Sequence, residues 1–293
     1  MKGNETMRAT PIALFICLLL MAASTGPAAS QDQGESLTEV NKRLTNPVSE
    51  TWSISFQQNN YRISTVPGQG DRWNSNLNFQ PVLPVALTGN WNLITRPVVT
   101  LINSTPYPSV EGRIERTTAI GDTILMENLA PGPAIAGNWL LGIGPTFILP
   151  TAASDHTGQG KWQVGPAAIL GYLSKNWILG AFVQNWTSFA GDDDRPDTNQ
   201  MNLQPIAAYF LPGGWSVGYS GNILANWKAD GGDVWTVPVG LGVGKVVKFG
   251  RLPVKIGLAG QWMPIHPDVF GQKWNIQVGI TPVIPKLIKG TLF

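Results

Sequence analysis

Few side chains in this sequence are equipped for covalent or metal chemistry, and their spacing decides what they could do. The 293 residues hold two histidines, His156 and His266, and one cysteine, Cys17. Hydrolysis of a lipid at a bilayer edge needs a serine activated by a histidine, with an amide orienting the ring. His156 lies in Ser154-Asp155-His156-Thr157 and His266 between Ile265 and Pro267, in stretches that read as loops rather than lipid-facing strands. Both read as solvated loop histidines, and no catalytic residue is assigned. Asp192-Asp193-Asp194-Arg195-Pro196-Asp197 offers hard oxygens to a divalent cation, but lacks the spaced ligands and closing glutamate of a calcium loop. It reads as a solvated acidic loop, and no metal or cofactor is expected. Gly242-Val243-Gly244-Lys245 imitates a phosphate loop, yet Val246 stands where a hydroxyl must hold magnesium, and a strand pattern surrounds it.

The elements that would position any such group follow from composition. Charged residues make up 13% of the chain and hydrophobic ones 43%, against about 25% charged in an ordinary soluble domain. A net charge of +2 leaves no cationic excess to neutralise phosphates, so no nucleic-acid partner is expected. The 33 glycines and 23 prolines interrupt the pattern too often for a coiled coil or helical bundle. At the N-terminus, Lys2 and Arg8 precede an apolar run over 12–23, and small residues follow to Ser30. This is the pattern of a bacterial secretory signal peptide over 1–30. Cys17 falls inside it, so the expected mature chain has no thiol for a disulfide, zinc cluster or nucleophile.

Beyond residue 30 no apolar run is long enough for a membrane helix. Alternation takes its place. Trp73, Leu77, Phe79, Pro81, Leu83 and Val85 share one parity, and Asn74, Asn76, Asn78 and Gln80 the other. A period of two places these sets on opposite faces of a strand. The same pattern runs through 52–56 and 274–284, and less regularly through 91–103, 119–129, 139–149, 161–173, 177–190, 200–211, 215–228, 234–248 and 252–263. Twelve strands result, most of them longer than the five or six residues usual in soluble sheets and long enough to cross a bilayer when tilted. Short turns at 88–90, 131–138, 174–176, 212–214 and 250–251 alternate with longer polar loops at 60–71, 104–118, 150–160, 191–199, 229–233 and 264–272. The fold class expected is an all-β, single antiparallel outer-membrane barrel over 47–293, with short periplasmic turns and longer extracellular loops.

The twelve tryptophans agree with that map. Trp91, Trp139, Trp177 and Trp215 each follow a short turn, and Trp52 opens the first strand at the same end. Trp73, Trp162, Trp186, Trp227, Trp235, Trp262 and Trp274 lie where strands meet long loops. Two aromatic girdles at two membrane interfaces are expected. The competing reading is a soluble, tryptophan-rich β-sandwich.

The polar parity defines a candidate lumen. Its expected lining includes Asn74, Asn76, Asn78, Gln80, Ser220, Asn222, Asn275 and Gln277, with Arg96, Asp122 and Lys255 the few charges. Rings of like charge, which ion selectivity would need, are not apparent. The reading is passive passage of small neutral or amphipathic molecules; a narrow barrel filled by its own side chains is the alternative. Ahead of the barrel, residues 31–46 carry a capping-box pattern at Ser36 and Glu39 before Leu37, Val40 and Leu44, consistent with a brief periplasmic helix or a plug. Expected partners are outer-membrane lipid and lipopolysaccharide, an unidentified small solute, and the barrel-assembly machinery.

Particular strings also match a family. Asn46-Pro47-Val48, Phe56-Gln57-Gln58-Asn59-Asn60, Leu77-Asn78-Phe79-Gln80-Pro81 and Trp91-Asn92-Leu93-Ile94-Thr95-Arg96 are among them. Gly142-Ile143-Gly144-Pro145-Thr146-Phe147, Gly160-Lys161-Trp162, Ser188-Phe189-Ala190-Gly191 and Trp235-Thr236-Val237-Pro238 complete the set. Through them the chain resembles bacterial barrel proteins labelled "neuromedin U" or "transporter", grouped near the outer-membrane proteins of phenol meta-cleavage. The resemblance implies a β-barrel with a transport role and nothing finer. The end of the chain departs from the usual pattern, because Pro282 and Pro285 interrupt the last strand before Phe293.

Overall fold

The computed structural model describes residues 35–288 and 290–293; the signal-peptide expectation for 1–30 lies outside them. A helix, α1 (Leu37–Thr45), precedes the sheet. Ser36 caps it, its Oγ accepting from the Glu39 backbone N–H at 3.2 Å, and Lys42 and Arg43 sit in the last turn, where the helix dipole favours cations. The strands are β1 (Ser53–Ile63), β2 (Arg72–Ala86), β3 (Trp91–Pro108), β4 (Ile114–Ala119) and β5 (Thr123–Pro131). After α2 (Pro133–Ala136) come β6 (Trp139–Leu149), β7 (Lys161–Leu173), β8 (Trp177–Gly191) and β9 (Asn199–Leu211). The rest are β10 (Trp215–Tyr219), β11 (Ile223–Asn226), β12 (Trp235–Phe249), β13 (Leu252–Ile265) and β14 (Gln272–Pro282).

All pairings are antiparallel, and apart from β3–β5, β9–β11 and β10–β12 they join sequence neighbours, until β1 meets β14 and closes the sheet. β4 and β5 both pair with β3, and β10 and β11 both lie between β9 and β12, so each couple forms one interrupted barrel strand. Counted this way the wall has the twelve strands that the alternation implied. Two expected loops are shorter than the sequence suggested. β1 continues through Ile63, and much of 104–118 is a hairpin of β3 with β4 that extends the wall at the long-loop end. Cross-strand pairs such as Tyr107 opposite Glu115 hold that hairpin, and polar composition alone concealed the pairing.

The ladder is broken at several places beside proline, among them a gap between β2 and β3 from Phe79–Val99 to Leu83–Thr95 that spans Pro81 and Pro97; three others bring a glycine against the neighbouring backbone. Between β5 and β6 the pairing jumps from Met126–Thr146 to Leu129–Ile143, with Pro145 in the gap. Between β7 and β8 it jumps from Val164–Thr187 to Ala167–Gln184, with Pro166 in the gap. Pro238 lies opposite the last of these, at 220–222 between β10 and β11. Proline donates no ladder hydrogen bond, so the neighbouring strand pulls free and bends. Glycine then admits the approaching backbone: a Cβ on Gly144, Gly165 or Gly240 would fall on the carbonyl oxygen of Glu127, Asn185 or Ser220.

The two faces of the wall differ sharply. Between the ends of the strands the outward parity exposes Ile143, Leu170, Leu179, Leu241, Leu258 and Ile276. Inside, an apolar cluster of Met126, Leu140, Ala167, Ile169, Ile178, Phe182, Ile206 and Phe210 fills part of the β5–β9 half. After β14 the tail crosses the seam. Val283 bridges to Ser53, the Ile284 N–H donates to Trp52 O at 3.0 Å, and the Leu292 and Phe293 N–H groups donate to Ala86 and Leu87 carbonyls.

Candidate functional site

The lumen is built from inward parity on strands all round the barrel. Its central cavity, about 480 Å3, is lined by Gln57 and Tyr61 of β1, Asn78 and Gln80 of β2, Arg96 of β3, Asn202 and Gln204 of β9, Lys255 of β13 and Gln277 of β14, among others. Ser220 and Asn222 contribute from the interruption between β10 and β11, where backbone freed from the ladder turns inward. Seven of the expected lumen residues, Asn78, Gln80, Arg96, Ser220, Asn222, Lys255 and Gln277, thus meet at one cavity.

The others lie elsewhere. Asn74 and Asn76 line a second cavity, of about 370 Å3, toward the long-loop end, under the β3–β4 hairpin. Asn275 is buried in an amide network: its Nδ2 donates to Asn59 Oδ1 at 3.3 Å and to Gln261 Oε1 at 3.2 Å, while Gln261 Nε2 reaches Gln277 Oε1 at 3.1 Å. Asp122 differs from the expectation. It sits between β4 and β5 and accepts the N–H groups of Ala152 and Gln159, tying the 150–160 loop to the wall instead of lining the lumen. A carboxylate within reach of two loop amides is held by those bonds. Gln159 then joins Gln163 and Gln200 in a cluster that closes the long-loop end beside β7 and β9.

The expectation of a uniformly amide-lined interior is also corrected. One wall of the central cavity is apolar, formed by Val98, Ile124, Met126 and Phe182, and Arg96 lies against it with its guanidinium 5.6 Å from the Phe182 ring centre. The signal was present: counting parity from outward Trp177 puts Ile178, Phe182, Gln184 and Trp186 on the inner face. Trp186 is accordingly 3% exposed, and its indole N–H donates to Thr146 Oγ1 at 3.0 Å, beside Gln184 Nε2 at 3.1 Å on the same oxygen. Trp52, 4% exposed, lies by the tail residues Val283 and Ile284 and donates to Pro84 O at 2.7 Å. These two indoles are therefore removed from the expected girdles, while Trp73, Trp91, Trp139, Trp162, Trp177, Trp215, Trp227, Trp235, Trp262 and Trp274 are all exposed. At the short-turn end the Lys245 ammonium lies 4.6 Å over the Trp215 ring.

Helix α1 occupies the short-turn mouth. Asn41 Nδ2 donates to Gly214 O at 2.9 Å, Thr38 Oγ1 to Leu211 O at 3.1 Å, and Lys255 Nζ to Thr45 Oγ1 at 2.7 Å. Beside the helix a cavity of about 300 Å3 is bounded by Arg43 to Pro47 and by β1, β2, β3, β9 and β13, which come from opposite sides of the barrel. It shares Gln57, Arg96, Gln204, Pro205, Tyr219 and Lys255 with the central cavity, and Tyr61 and Gln272 connect the central cavity to the one under the hairpin. A chain of three adjoining cavities therefore follows the barrel axis.

The histidines stay in the loops, His156 stacked on Tyr107 at 3.7 Å and His266 Nδ1 at 2.8 Å from Pro267 O. In the acidic loop Asp192 Oδ1 accepts from the Asp194 N–H, and Asp197 Oδ1 accepts from Ser188 Oγ and lies 3.4 Å from Lys161 Nζ. Among the described residues no group of three or more His, Cys, Asp or Glu comes together as a metal site. No protein-family model and no curated protein matches the sequence. Among solved structures, the chain is similar to the COG4313 outer membrane channel from Pseudomonas putida F1, with 13% identity, a TM-score of 0.57 and coverage of 81% of this chain and 97% of that one. The transport unit of the autotransporter AIDA-I from Escherichia coli aligns more loosely, with 10% identity and a TM-score of 0.44 over 92% of this chain and 97% of that one. At such identities the likeness shows the fold: this chain is a closed antiparallel β-barrel of the outer-membrane kind.

Proposed function

We propose that the protein is an outer-membrane channel through which small neutral or amphipathic molecules pass by diffusion. The observation that carries this reading is the chain of cavities along the axis, walled by side chains whose hydrogen-bonding capacity the fold leaves partly unused. A barrel built only for rigidity would fill that space and pair those groups. The exposed apolar outer face suits acyl chains, and ten exposed indoles suit the two interfaces, the long-loop end meeting lipopolysaccharide. Insertion by the barrel-assembly machinery belongs to the same reading. The similar channel from Pseudomonas putida supports it by fold. A non-conducting barrel is the second reading, favoured by the apolar packing and glutamine cluster that fill the β5–β9 side.

In planar bilayers the purified protein is expected to give discrete single-channel currents well below those of a wide porin; a lipid-inserted protein with no current and no solute flux in liposomes would favour the second reading. The membrane placement has its own test. In vesicles of brominated phosphatidylcholine most tryptophan emission should be quenched. The unquenched remainder should disappear in the W52F W186F double variant, and a soluble fold would show no quenching at all.

A further inference from the structure

Three polar atoms around the central cavity are buried without a hydrogen-bond partner: Arg96 Nη1, Asn78 Oδ1 and Asn202 Oδ1. Arg96 is the unusual member. A guanidinium has five N–H donors and stays charged, yet here Nη1 is buried without a partner, no carboxylate of the described residues pairs with the group, and it lies over the Phe182 ring. Burying a cation without a counter-charge opposes folding, and a neutral amide or a methionine would fill the position at lower cost. The second cation of the cavity, Lys255, has a hydroxyl partner in Thr45 and no carboxylate. Among the described residues lining the central cavity there is no Asp or Glu, and none lines the cavity beside α1, which Arg96 and Lys255 also border. The acidic groups lie elsewhere: Asp122 ties down a loop, and Glu127, on the parity opposite buried Met126 and Asn128, accepts from Thr95 Oγ1.

We propose that the central cavity is a binding site for small organic carboxylates with a compact apolar body, the solutes this channel is built to take. The inference rests on the channel reading and narrows it. A planar carboxylate fits the fork of a guanidinium with two parallel hydrogen bonds, and Lys255 adds a point charge from β13. Val98, Ile124, Met126 and Phe182 then form an apolar surface next to the cation, where a ring or short alkyl group is removed from water. Inorganic chloride would gain nothing from that surface, and a neutral hydrocarbon would gain nothing from Arg96. The cavity's volume of about 480 Å3 lies within the range of small-molecule sites. The uncharged amides around the remainder hydrate a passing solute without holding it, as conduction requires.

The test is calorimetric titration of the full-length folded protein in detergent with sodium benzoate and, as the neutral counterpart, benzyl alcohol. Benzoate should bind at least tenfold more tightly than benzyl alcohol, and R96Q, with K255Q to a lesser degree, should erase that preference while leaving benzyl alcohol unchanged. Heat-modifiable gel migration verifies that each variant is folded. Should R96Q not fold, R96K keeps the charge but loses the fork, and it should weaken benzoate several-fold. Equal binding of the two probes, or benzoate binding unaffected in a folded Arg96 variant, overturns the proposal. In bilayers the reversal potential under a KCl gradient should favour chloride, and the preference should fall toward unity in R96Q. A protein that binds benzoate but carries no current would refute the channel and keep the site; a channel that conducts but does not distinguish the two probes would do the opposite.

Discussion

Releasing α1 from the short-turn mouth raises the single-channel conductance several-fold; that is the first expected result, and Asn41→Ala is the smallest change that should produce it. Asn41 is fully buried, and its Nδ2 holds the carbonyl of Gly214 at 2.9 Å. Losing one partner of a buried hydrogen bond costs about 1–3 kcal/mol. Each 1.4 kcal/mol shifts the docked-to-released ratio about tenfold. The remaining ties lie near the helix ends and are more exposed than the Asn41 bond: Thr38 Oγ1 donates to Leu211 O and accepts from the Gly214 N–H at 3.3 Å, and Lys255 donates to Thr45. Current records of Asn41→Ala should therefore show frequent excursions to a higher level, and deletion of residues 36–45 should make that level permanent. The barrel's closure does not involve α1, because β1 pairs with β14 independently, so both variants should keep heat-modifiable migration. Identical conductance in wild type and deletion would mean that the helix does not obstruct the pathway.

The second large effect concerns glycines in the wall. Gly144→Ala and Gly165→Ala each place a methyl group on a backbone oxygen of the adjacent strand, Glu127 O and Asn185 O. Neither obstacle is a rotatable side chain, so relief demands that two strands separate at a point where proline has already removed ladder bonds. The folded fraction recovered in refolding into detergent micelles should drop by more than tenfold for either variant. Gly260→Ala and Gly279→Ala are the matched controls, since a Cβ there meets nothing within 4 Å. Equal yields for all four would show that the wall relaxes around the added methyl.

Much of the fold could be read from alternation because a barrel wall has one apolar and one polar neighbour at every residue. Trp274, Ile276, Val278 and Ile280 against Asn275, Gln277 and Gly279 is a complete statement of which way β14 faces. The interior was less legible, for a physical reason. Where both parities are apolar, as at Ile178 and Leu179 on β8, alternation loses contrast and the cluster around Phe182 leaves no polar trace. Place along the strand puts Trp186 at the girdle, whereas its parity opposes that of Trp177. Nothing near Trp52 in the sequence marks it as covered, because the segment that covers it, the tail around Val283, lies at the other end of the chain. Arg96 could be singled out as one of few strand charges; its want of a counter-ion could not, because that depends on which strands surround it.

The tail that leaves β14 behaves as a clasp. The β1–β14 seam joins partners more distant in sequence than any other pair in the wall, so its closure demands the largest loss of chain entropy. By continuing past Trp52 and Ser53 to bond the carbonyls of Ala86 and Leu87, the tail fastens the last strand to the turn beyond the second one. Pulling the seam open then requires two separate sets of bonds to fail together, one across the strands and one beneath them. The ends of the sheet are thereby locked against the sideways slip by which two edge strands change register.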